Sequence, residues 1–182
     1  MSKFLRGCAF ALAAVLTGSP AIAGDEAPGY VSEVRVGVLA HDQGIFSSHK
    51  EDGIDINGEV LFMDLGWLGD KIALRPHIGG SVNTTGDTSQ AYAGLTATIP
   101  VFSWGFFDFS FGGAYHNGET DSGRVDKKDL GCHALFRESA SLGAYIGDHH
   151  TISAFADHIS NASICSKNEG LENVGVRYGY RF

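Results

Sequence analysis

Nowhere in this chain of 182 residues does an uninterrupted apolar run reach the roughly 20 residues that an α-helix needs to cross a bilayer. The best candidate, Cys8 to Leu16, is too short. Cations are also scarce: 13 Lys and Arg stand against 21 Asp and Glu, a balance that disfavours nucleic acid as a partner. Cysteine is rarer still, at three residues. The adjacent His149 and His150 therefore have no nearby thiol, and no further histidine at ligand spacing, to complete a metal site; they read as part of a solvated turn. Neither a metal nor a cofactor is expected.

What is present begins with a leader. Lys3 and Arg6 precede the short apolar run, and Ser19-Pro20-Ala21-Ile22-Ala23 ends it with an Ala-x-Ala site, so residues 1–23 read as a secretory signal peptide cleaved before Gly24. Cys8 leaves with it and precedes the apolar run, so it is not read as a lipoprotein cysteine. Losing Lys3 and Arg6 leaves 11 basic residues against 21 acidic ones, a net charge near −10. Residues 24–182 suit a single domain.

That domain reads as strands. Its 25 glycines and 11% aromatics favour strands and turns, and a mean hydropathy of −0.01 does not exclude a membrane barrel, because alternation conceals the apolar face. Val34, Val36, Val38 and Ala40 alternate with Glu33, Arg35 and Gly37. Ile54, Ile56, Val60 and Phe62 face away from Asp55, Asn57 and Glu59. Similar segments follow over Ile72–Val82, where Pro76 predicts a local ladder defect or bulge, then over Gln90–Val101 and Phe107–Tyr115. The segment Cys132–Ile146 is less regular, because Glu138 shares parity with Phe136 and Leu142; either a bulge shifts the register or Glu138 faces inward. Thr151–Ser160 and Glu172–Phe182 complete the set.

About eight strands with connections alternating long and short predict an all-β fold, an eight-stranded antiparallel transmembrane barrel of the Gram-negative outer membrane. Both termini would be periplasmic and the long loops outside. Glu33, Arg35, Asp55, Glu59, Arg75, Asp108, Arg177 and Arg181 would fill the interior, which at this strand number is just wide enough for side chains. A soluble barrel with its apolar faces turned inward would coat itself with those charges, and the terminal Phe182 also argues against it.

The last hairpin carries the chemistry. His158 and Ser160 are two residues apart and so project from one face of a strand, while Glu172 begins the next strand on its apolar side; an antiparallel hairpin brings all three to one rim. Hydroxyl, imidazole and carboxylate in that arrangement are the nucleophile, base and orienting acid of a hydrolytic triad. Asp157 points to the opposite face and reads as an interior ion-pair member.

The segment His158-Ile159-Ser160-Asn161, with Glu172 twelve residues after the serine and a strand ending at Phe182, resembles the lipid A 3-O-deacylase family of PagL-like outer-membrane esterases. The resemblance implies Ser160 as nucleophile, His158 as general base, Glu172 as orienting acid and Asn161 in the oxyanion hole. The implied substrate is lipid A of lipopolysaccharide, met among outer-membrane lipids by a site facing the outer leaflet. The enzyme would be an ester hydrolase that removes a 3-hydroxyacyl chain.

Two other readings keep the same barrel: a non-enzymatic envelope or adhesion protein, and a lipid A acyltransferase. A homodimer is left open. Cys132 and Cys165, at the start of strand six and in the last long loop, are candidates for a disulfide beside the site. Ser47-Ser48-His49-Lys50 has an S-x-x-K spacing, but it lies in a loop where that motif has no helix to act from.

Overall fold

The structure, a computed structural model, describes residues 29–45, 48–68 and 71–182. The proposed leader, residues 1–23, and Ser47 of the S-x-x-K spacing lie outside the described residues. Eight strands, β1 (Val31–Ala40), β2 (Ile54–Phe62), β3 (Ala73–Asn83), β4 (Gln90–Val101), β5 (Gly105–His116), β6 (Ala134–Ile146), β7 (His150–Ser160) and β8 (Leu171–Arg181), follow one another as antiparallel neighbours. β8 returns to pair with β1 and closes the barrel. Closure leaves no strand edge unpaired, which is what allows a sheet to face hydrocarbon. The β1–β2, β3–β4, β5–β6 and β7–β8 loops gather at one rim; the other three connections and the start of β1 lie at the opposite one.

Period-two alternation decides the two faces. Outside, Val36, Ile56, Ile78, Phe109, Leu142, Ile152 and Val176 are exposed. Inside, ionic groups are buried and matched. Arg35 Nη1 meets Asp108 Oδ2 at 2.7 Å and its Nε meets Glu33 Oε1 at 2.8 Å. Arg75 Nη1 reaches Glu33 at 2.9 Å, and Arg177 Nη1 reaches Glu59 at 2.9 Å. Arg137, absent from the expected interior set, is 1% exposed; its guanidinium carbon sits 3.6 Å from the Tyr92 ring centroid, and its Nη2 lies 3.0 Å from Asp157. Arg181 is less enclosed: it stacks on Tyr145 at 4.8 Å and lines a cavity of about 430 Å³ at the short-turn rim.

Of the ladder defect or bulge expected at Pro76, the bulge is absent: β3 runs in continuous register with β4 through Pro76–Leu95, whereas its ladder with β2 stops short of Pro76, at the pair of Leu61 with His77. The missing amide falls where no strand asks for it. A register shift lies instead between Val31 and Glu33, at the start of β1. Glu138, in turn, neither turns inward nor sits at a bulge. β5, β6 and β7 stay in register across it, with Glu138 opposite Phe111 on one side and His158 on the other.

Candidate active site

Alternation on β7 places Thr151, Ser153, Phe155, Asp157 and Ile159 inside and Ile152, Ala154, Ala156, His158 and Ser160 on the outer face. Phe155 packs inward because the lumen offers cations to stack on: the Arg177 guanidinium carbon lies 3.8 Å from its ring centroid. His158 and Ser160 are thus outward at the long-loop end of the strand. Across the β7–β8 ladder His158 stands directly opposite Glu172, and the imidazole Nδ1 meets the carboxylate Oε1 at 3.1 Å. Because a carboxylate oxygen accepts, Nδ1 is the donor in this bond, and in the neutral ring that leaves the lone pair on Nε2.

Ser160 follows on the same face, opposite Phe136. No hydrogen bond joins its hydroxyl to His158 among the described residues. The histidine and glutamate are therefore coupled, and the serine is adjacent on the same face without yet engaging the imidazole.

Glu172 differs from its expected setting. Rather than lying open at the lipid rim, it is 4% exposed although its strand face points outward. The cover is the β1–β2 loop, whose Gln43 N–H donates to the Glu172 carbonyl oxygen at 2.9 Å. On the other side of the pair, Gly170 has φ +65°, and a Cβ there would lie 2.9 Å from His158 Cε1. Only glycine takes this backbone conformation without strain while also leaving room for the ring.

Asn161 does not present its side chain to Ser160. Both amide hydrogens are committed, Nδ2 donating to Leu130 O at 2.8 Å and to Lys167 O at 2.5 Å, while Oδ1 accepts from Cys165 N at 3.3 Å. Its backbone N–H is also used, donating to Asn168 Oδ1 at 2.8 Å. The expected oxyanion side chain is instead the hub of the β7–β8 loop. The loop needs one, because Ala162 and Ser163 take left-handed φ of 52° and 63°, an unfavourable conformation for non-glycine residues. The same loop is tied to the β5–β6 loop by a disulfide between Cys132 and Cys165, Cα–Cα 6.2 Å.

Glu138 is the neighbour that pattern reading missed. It faces outward from β6 directly opposite His158 and places a second carboxylate on the same patch of wall. Its parity with the exposed Phe136 and Leu142 carries the signal, and against it stands only the cost of an acid on the apolar face. Near the interface that cost falls to roughly 0–1 kcal/mol.

Comparison with known proteins agrees with this architecture. Residues 53–181 match the family model described as lipid A 3-O-deacylase (PagL). Among solved structures, the crystal structure of the outer membrane enzyme PagL superposes with TM-score 0.65 at 17% identity, covering 83% of this chain and 100% of that one. A de novo designed transmembrane β-barrel gives TM-score 0.54 at 11% identity, covering 86% of this chain and 99% of the other. The N-terminal barrel domain of Pseudomonas aeruginosa OprF gives 0.51 at 14%, covering 85% and 98%. At such identities these structures speak for the fold alone. A search of curated proteins finds no match.

Proposed function

Because the chain belongs to the lipid A 3-O-deacylase (PagL) family, an outer-membrane barrel of ester-hydrolysing enzymes, we propose that it removes an ester-linked 3-hydroxyacyl chain from lipid A through Ser160, His158 and Glu172. The observation that carries this reading is the 3.1 Å contact between His158 Nδ1 and Glu172 Oε1 on the outer wall, with Ser160 on the same face two residues along.

In the reaction, His158 Nε2 takes the Ser160 proton as Oγ attacks the acyl carbonyl. Glu172 holds the ring in the tautomer that leaves Nε2 basic and stabilises the imidazolium that forms. The hydroxyl–imidazole hydrogen bond then tightens with an ester in place, as catalytic contacts do on substrate binding. Since the Asn161 amide is already engaged, we assign the oxyanion to backbone N–H groups of the turn that Asn161 holds. As the ester C–O bond breaks, the imidazolium passes the Ser160 proton to the departing lipid A hydroxyl oxygen; His158 then activates a water that attacks the acyl-enzyme, releasing the 3-hydroxy fatty acid and restoring the Ser160 hydroxyl. An outward triad suits a substrate whose acyl chains already lie in the bilayer, and long loops at the same rim support a site level with the outer leaflet.

Mass spectrometry of lipid A from cells expressing the wild type or Ser160→Ala tests this reading. The wild type is expected to remove one 3-hydroxyacyl chain, and Ser160→Ala none. Unchanged lipid A in both strains would favour a non-enzymatic barrel; a gain in mass would indicate acyl transfer.

A further inference from the structure

The β1–β2 loop crosses the barrel rim against Glu172 and is pinned there through two of its backbone N–H groups. Gln43 N–H donates to Glu172 O at 2.9 Å, and Asp42 N–H donates to Asn173 Oδ1 at 3.1 Å. Both bonds hold the strap to the start of β8. They press Gly44 so close to the acid that a Cβ built on it would overlap Glu172 Oε2, Cβ and Cδ. Any side chain at this position displaces the carboxylate or lifts the strap.

The strap is anchored from its other side. Asp42 Oδ2 accepts from the backbone N–H groups of Lys50 at 2.7 Å and Glu51 at 3.1 Å, and Asp42 Oδ1 lies 3.1 Å from Lys128 Nζ. Lys128 comes from the β5–β6 loop, is fully buried, and also donates to Ser48 O. His41 is clamped between Glu51 Oε2 at 3.1 Å and Asp55 Oδ1 at 3.0 Å. Two long loops thus fix the course of one glycine, and that glycine meets the carboxylate that bonds His158.

We propose that Gly44 is a positioning residue for the ester hydrolase: its bare backbone forms the wall that keeps the Glu172 carboxylate dry and aimed at His158 Nδ1. The role rests on Glu172 being the orienting acid. Gly44 lies outside residues 53–181, where the family model matches. A carboxylate at the rim of a membrane barrel is otherwise open to water and to several rotamers. Covering it on one side with backbone restricts both freedoms, while the glycine itself adds no competing hydrogen-bonding side chain.

The test uses the full-length barrel in detergent with purified lipid A, comparing wild type, Ser160→Ala, Gly44→Ala and Gly118→Ala. Gly118 is a second crowded glycine among the long loops, where a Cβ would overlap Thr88 Oγ1 rather than the triad. Folding is checked by the faster gel mobility of the unheated barrel. Gly44→Ala is expected to lower kcat about a hundredfold, the scale of a misplacement of about 1 Å, with KM within twofold and Gly118→Ala close to wild type. In a Glu172→Ala background Gly44→Ala is expected to cost nothing further.

A folded Gly44→Ala with wild-type kcat beside an inactive Ser160→Ala would overturn the role of Gly44 alone. So would an equal loss in Gly118→Ala, or a full further loss in the Glu172→Ala background. An active Ser160→Ala would overturn the triad and Gly44's role together. If Gly44→Ala does not reach the folded form, Lys128→Gln releases the strap without adding an atom beside Glu172. It is expected to lower kcat about tenfold, and unchanged kcat in the folded variant would overturn the proposal.

Discussion

His158 and Glu172 meet because their Cα atoms are register partners on neighbouring strands, so their contact is as rigid as the ladder that carries it. An isosteric Glu172→Gln change keeps that geometry and removes the charge. Its expected outcome is a fall in kcat on the order of 10⁴-fold, as when an amide replaces the acid of another triad, with KM little changed; steady-state deacylation at several lipid A concentrations measures both. The same change leaves gel mobility of the unheated barrel intact, since the ladder bonds at this position are backbone bonds. Glu138 and Asn161 illustrate how little a residue's type says about the role it fills. An acid stands on the apolar wall, and an amide next to Ser160 is spent on loop carbonyls.

The long loops act together as one cap. Lys50 Nζ pairs with Glu169 Oε1 at 2.5 Å, Glu169 Oε2 accepts from the Asp129 N–H at 2.7 Å, and the disulfide joins the β5–β6 and β7–β8 loops again. At the base of the cap, burial works against a charged His41, but its hydrogen bonds to Asp55 and Glu51 prevail and raise its pKa from 6.5 to about 9. A raised pKa means that the stabilisation from His41 is complete below about 6.5 and fades as pH rises through about 9. Glu51 is also buried, yet its hydrogen bonds, first that to His41 and then those from Lys128 and Thr88, pull it from 4.5 down to about 2, so its share is complete above about 4.5 and is lost as pH falls through about 2. Limited proteolysis of the β1–β2 loop is therefore expected to be slow at about pH 6 and distinctly faster at about pH 10. His41→Gln should remove most of that difference; equal cleavage of the wild type at both values would contradict the assignment.

Across the whole molecule, ion pairs fill the lumen where a larger barrel would hold water. Replacing Arg177 by Ala leaves Glu59 buried without its closest cation. The expected loss is about 3–5 kcal/mol of stability, measurable as a lower urea midpoint in detergent. The wild type inserted in a planar bilayer should show no steady conductance, because Arg35, Arg137 and Arg177 with their acids and aromatic partners occupy the interior. An open channel of constant size would mean that the interior is organised otherwise.

Strand number, the inward or outward direction of most side chains, and the placement of His158 with Ser160 on one face were readable from the sequence. Each depends on nothing but the period-two geometry of an extended chain, as the alternation from Glu172 to Phe182 shows. The family resemblance was readable too, because the residues of the last hairpin that carry it span a single loop. The tertiary structure alone decided the surroundings of that motif: Gly44 against the Glu172 carboxylate, Lys128 under Asp42, and Asn161 turned to the loop. The β1–β2 strap that carries Gly44 also bonds β8 through Asp42 and Asn173, 131 residues apart in the chain. No local periodicity records the contacts of Gly44 and Lys128, because they exist only once closure of β1 on β8 has brought distant loops onto the same rim.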